Sequence, residues 1–141
     1  MAGGAQYGLD KSYKAAAAIG SAASGPDLAT SYDYFLFVKL SGTAGDTVTP
    51  ATVLGEPVLG VAQQRVAVAD INSMGIDVRL LGISKIVLAA TLVFGDAVRS
   101  DAAGKAVAAT AGTRQSGIIV GAGGVAGDVV DILLTPGGQA T

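Results

Sequence analysis

The side chains able to do chemistry in this chain are few and widely spaced. Eleven acidic residues include a sole glutamate, Glu56, and there is no histidine, cysteine or tryptophan. Without His and Cys, the Ser-His-Asp and Cys-His arrangements, the HExxH zinc motif and thiolate metal sites are all ruled out. Ser84-Lys85 sets a hydroxyl beside an amine, but no nucleophile elbow or oxyanion-type loop accompanies it. Asp96 with Asp101, and Asp128 with Asp131, lack the ligand spacing of a calcium loop. Gly121-Ala122-Gly123-Gly124 follows a strand-like run, yet Gly127-Asp128 then opens another strand where a dinucleotide site needs a helix. We therefore expect no catalytic residues, no metal site and no cofactor, and we read the chain as a non-enzyme.

The aspartates fit a structural task better. Gly45-Asp46-Thr47-Val48, Gly95-Asp96-Ala97-Val98 and Gly127-Asp128-Val129-Val130 repeat one phrase. Glycine permits a bend at positive φ, Asp bonds its own backbone a residue or two on, and valine opens a strand. A fourth turn is expected at Ser100–Lys105, a hairpin loop with Gly104 in the left-handed position. Between such turns lie short apolar or alternating runs: 34–40, 57–63, 76–81, 86–91, 98–107, 117–120 and 129–134, with Pro136-Gly137-Gly138 ending the last. Short strands with frequent turn signals predict an all-β fold, a small β-barrel or β-sandwich. Residues 58–62 with 76–82, and 117–122 with 129–134, echo each other as a Gly-containing strand, a loop and an alternating strand.

With 141 residues, one domain is expected. The first part differs from the rest. Residues 1–33 read as an N-terminal arm, rich in Ala, Gly and Ser and too poor in large apolar side chains for a core of its own. The β-domain then spans 34–141. The arm is expected to be extended or partly helical, with a short helix over Asp10–Ile19 capped by Asp10 or Ser12 and stopped by Gly20. A signal peptide is not expected, because the apolar run after Lys11 and Lys14 is too short and too Ala-rich. All four tyrosines, Tyr7, Tyr13, Tyr32 and Tyr34, fall in the first 34 residues. Tyr34, Phe35 and Phe37 are expected to cover the domain's own core. Tyr7, Leu9, Tyr13, Leu28 and Tyr32 are the candidates for contact with a partner or a neighbouring subunit.

Charged residues make up 14% of the chain, well under the ~25% usual for soluble domains. Net charge is −2 and mean hydropathy +0.54. A surface so weakly charged suits packing against other protein. The nine basic residues are scattered singly, so no nucleic-acid footprint exists, and apolar runs are too short for a membrane span.

Taken in order, Ala51–Ala62 (ATVLGEPVLGVA), Phe94–Val107 (FGDAVRSDAAGKAV), Gly117-Ile118-Ile119 and Ala126–Leu134 (AGDVVDILL) resemble the capsid decoration, or cement, proteins of tailed bacteriophages. The resemblance covers about residues 50–135. It implies a small β-domain on the outer surface of the mature phage head, made in the bacterial host cytoplasm. Such a subunit is commonly a homotrimer that binds the major capsid protein and stabilises junctions between capsomers. It carries over no catalytic residue. The long arm departs from the shortest members of that family. Other readings are a tail-tube or fibre-base subunit, or a carbohydrate-binding β-module for host attachment. The last sits poorly with a β-domain whose only aromatic after Phe37 is Phe94.

Overall fold

The computed structural model describes residues 8–20, 32–42 and 45–140. Among them the chain is all-β. Its strands are β1 (Gly8–Ala15), β2 (Phe37–Ser41), β3 (Thr47–Pro50), β4 (Gly60–Ala62), β5 (Gly75–Val87), β6 (Leu92–Val93), β7 (Ala97–Ser100), β8 (Ala106–Ala108), β9 (Arg114–Ile119), β10 (Gly123–Gly124) and β11 (Val129–Gln139). One 3-10 turn, Val68–Asp70, interrupts them.

Nine strands form one sheet in the order β1-β3-β2-β4-β5-β11-β9-β7-β8, and β1 also pairs with β5. The first five strands therefore make a closed circuit in which every neighbour is antiparallel except β1 and β3. The thirteen-residue β5 belongs to both halves of the sheet. Its first part, through Gly82, faces β1, and from Ile83 onward it faces β11. A bridge between Leu88 and Ala106 brings β8 back to the end of β5.

Each half has its own apolar cluster. One gathers Tyr13, Ile19, Val38, Val48, Ala62 and Ile76, among others. The other gathers Phe37, Val61, Ile86, Val98, Ile119 and Ile132. Successive residues of a strand point to opposite faces. Phe37 and Val38 of β2, and Val61 and Ala62 of β4, thus feed different clusters. These two strands are the wall between the cores, which is why they read as continuous apolar runs.

Two sequence expectations are corrected at the N-terminus. Asp10–Ile19 is no helix: Gly8–Ala15 is a strand, matched to Gly75–Gly82 of β5 along seven register pairs. A ten-residue helix has little stability alone, and an extended chain places Tyr13 and Ala15 on one face, both buried in the first core. Ile19 follows them inside, bonded to Val66 in both directions. Tyr13, a candidate for partner contact, is 7% exposed and belongs to this chain's own core. Tyr7 and Leu28 lie outside the described residues.

Elsewhere the outline follows the sequence. β7 and β8 form the expected hairpin, with Gly104 at φ +83° and the Asp101 carboxylate accepting the N–H groups of Ala103 and Lys105. The two echoing units are each a pair of adjacent antiparallel strands, β4–β5 and β9–β11. Gly60 sits where a Cβ would strike the Arg79 carbonyl, the close approach its position in a strand suggests. Pro136-Gly137-Gly138 does not end the last strand. β11 shifts register between Leu134 and Gly138 and pairs again with β9 through Gln139, so the irregular residues are absorbed as a bulge.

Candidate docking surface

The Gly-Asp phrase builds its turns by a route one step different from the expected one. In Val93-Phe94-Gly95-Asp96, the Asp96 N–H donates to the Val93 carbonyl at 3.1 Å, and Gly95 has φ +90°. The Asp96 carboxylate reaches backward and accepts the Val93 N–H at 2.9 Å. Val125-Ala126-Gly127-Asp128 repeats this: the backbone bond is 3.0 Å, the carboxylate bond 2.9 Å, and Gly127 has φ +93°. These are four-residue turns with glycine third, the type II pattern. The carboxylate therefore closes the turn behind it. At Gly45-Asp46, Gly45 has φ +72° and the Asp46 carbonyl accepts the Lys14 N–H of β1.

A third copy uses glutamate. In Val53-Leu54-Gly55-Glu56, the Glu56 N–H donates to Val53 at 3.3 Å, and Glu56 Oε1 accepts the Val53 N–H at 3.1 Å and the Thr52 N–H at 2.6 Å. Its other oxygen pairs with Lys39 Nζ at 3.0 Å. Burial alone would raise the Glu56 pKa, but the Thr52 N–H, Lys39 and the Val53 N–H together hold it below the ordinary carboxylate value. The shared phrase is Val-x-Gly-acid. It is legible at 53–56, 93–96 and 125–128, but only once the residue before the glycine is included.

All three turns lift apolar side chains into solvent. Val53, Leu54, Val93, Phe94 and Val125 are exposed, Phe94 at 73%. Pairing of β6 with β10 sets Val93 opposite Gly123, so the turns at 93–96 and 125–128 lie at neighbouring strands. Because each turn is closed by its own carboxylate, these side chains stand on an ordered frame, and little backbone freedom remains to be lost on contact.

The other candidates divide. Leu9 is 55% exposed and lies opposite Leu81, itself exposed, while Ile83 and Leu133 form a second exposed pair where β11 takes over. Arg79 bonds Asp10 through Nε and Nη2 beside them, and that carboxylate raises the guanidinium pKa. Tyr32 is 55% exposed and packs with Tyr34 and Phe35, at centroid distances of 6.3 and 6.5 Å. Tyr34 and Phe35 are half-buried against the first core. Sequence reasoning passed over Leu40, Val53, Leu54, Leu81, Val93 and Val125, since only tertiary structure tells which strand residues stay outside.

Ser84 and Lys85 do not form a dyad. Ser84 Oγ is buried and donates to the Lys85 carbonyl, while Lys85 Nζ turns to Asp131 at 3.2 Å. Among the described residues, no three His, Cys, Asp or Glu side chains gather as a metal site, and no helix is long and apolar enough to cross a membrane.

No family model matches the chain, and no curated protein matches it. Among solved structures, the fold is similar to the N base of head fiber gp8.5 of bacteriophage phi29. That likeness has a TM-score of 0.67 and 14% identity over 94% of this chain and 98% of that one, so what the two share is the fold.

Proposed function

We propose that this protein is a structural component of a phage virion, a non-enzymatic decoration (cement) subunit. In this reading it binds the major capsid protein on the outer surface of the mature head, as a homotrimer, and stabilises junctions between capsomers. The observation that carries this reading is the likeness of fold, over nearly the whole of both chains, to a head-fibre base. Its phrases also follow the order seen in cement proteins. Exposed apolar turns on a weakly charged surface support a role exercised by contact.

The same likeness favours a second reading, a fibre-base subunit that occupies the head without reinforcing it. One experiment separates the two. Expanded, undecorated heads of the source phage are mixed with the purified protein, and co-sedimentation is measured beside the temperature at which the heads rupture. Saturable binding at three chains per threefold site, with a higher rupture temperature, is the expected result. Saturable binding that leaves rupture unchanged selects the fibre base. Absence of binding by the folded protein overturns both.

A further inference from the structure

We propose that Phe94 of one copy of this chain docks into an apolar hollow on a second copy, joining subunits head to tail. The inference rests on the reading of the protein as a repeated subunit of a head. The hollow lies between β2 and the segment before β4, has a volume of about 340 Å³, and is lined by Lys39, Leu40, Pro57, Val58 and Leu59. A cavity of about 150 Å³ suffices for a benzene ring, so a phenyl side chain fits it. Phe94 is the most exposed large apolar residue among those described, and its turn is fixed by the Asp96 carboxylate and by the Gly95 N–H on the Ile119 carbonyl.

Charge favours a second copy as the occupant. The four ion pairs among the described residues are Lys39–Glu56, Arg65–Asp33, Arg79–Asp10 and Lys85–Asp131. Asp96 and Asp128, flanking the Phe94 turn, belong to none of them, so the protruding side is acidic. Beside the hollow, Lys39 is balanced by Glu56, but Arg99 belongs to no ion pair. Its guanidinium stands against Gly55, and its buried Nε has no hydrogen-bond partner. The receiving side therefore carries an uncompensated cation. An acidic knob and a basic-rimmed hollow at different places on one chain make a heterologous contact, which closes into a ring where the rotation allows.

The absence of cysteine makes the test direct. The double variant Phe94→Cys/Leu40→Cys, oxidised in solution, is expected to give a ladder of linked chains on a non-reducing gel, whereas each single variant stays a monomer there. Dimers from Phe94→Cys alone would mean that Phe94 meets itself, and no ladder from the double variant would mean that the two sides do not meet; either overturns the contact. In sedimentation velocity, Phe94→Asp should weaken self-association at least tenfold with an unchanged circular dichroism spectrum. Undiminished association in that variant, or a wild-type chain monomeric at every concentration, would also overturn it. Head binding is read separately by co-sedimentation. Phe94→Asp chains that decorate heads as fully as wild type would refute this contact and leave the head reading standing, and a ladder without head binding would do the reverse.

Discussion

At the scale of single residues, the acids of the Val-x-Gly-acid turns act on backbone N–H groups three positions behind them. Replacing Asp96 or Asp128 by alanine leaves a turn donor without its partner. By analogy with helix caps, each change should cost about 0.5–2 kcal/mol, read as a shift of the urea midpoint at constant slope. Asn in place of either Asp keeps an acceptor oxygen and should recover much of the loss. Glu56 adds a pH dependence. Its pKa is lowered in the folded chain, so the unfolded state binds its proton more tightly, and stability rises with pH across the window between the two values. The contribution is complete above the unfolded value of about 4.3 and fades as pH falls through the folded one. Glu56→Gln should therefore lower the melting temperature at pH 7, and the difference from wild type should shrink towards pH 3. A difference constant with pH would show that the carboxylate charge has no part in it.

At the scale of elements, β1 decides whether the first circuit closes. Tyr13 and Ala15 seal one end of its core, and the strand holds β3 on one side and β5 on the other. Tyr13→Ala should destabilise by about 3–5 kcal/mol, the range for truncating a buried aromatic, when measured by chemical denaturation. A loss under 1 kcal/mol would mean that the ring is not packed in solution as it is here. The residues that look like a loose arm in the sequence thus have a structural share that composition hides. Their Ala and Ser content suggests weak local order, yet seven register pairs with β5 override that preference. The opposite holds at the hairpin of β7 and β8. There Asp101 and Gly104 specify the turn within five residues, and the sequence alone suffices to place it.

At the scale of the whole molecule, two apolar clusters share one wall. Phe37 and Val38 are neighbours in sequence but lie in different cores, so loss of β2 would open both. Unfolding should consequently be a single cooperative transition, with tyrosine fluorescence, which reports the first cluster, and far-UV circular dichroism giving the same midpoint. Two separated midpoints would show that the halves fold independently. The outer surface follows from the same architecture. Strands that wrap two small cores leave many apolar residues outside, among them Leu9, Leu81, Ile83, Leu133 and the three turn tips. Such a surface is suited to a protein surrounded by copies of itself and by a shell.

By itself, the sequence determined the all-β class, the positions of the Gly-Asp turns, the β7–β8 hairpin and the pairing of the two echoing units. Each of these rests on a glycine at positive φ, a carboxylate within a few residues, or alternation along one strand, and all are local. The tertiary structure decided that Gly8–Ala15 is a strand, that Tyr13 is core, and that β11 continues past Pro136. It also decided which apolar side chains remain outside. These depend on partners tens of residues away: Tyr13 is buried because Ile76 lies opposite it, and Phe94 is exposed because its turn projects beyond both cores. Only the closing of β1 onto β5 brings such distant residues together, and nothing in the local composition of either strand encodes that match.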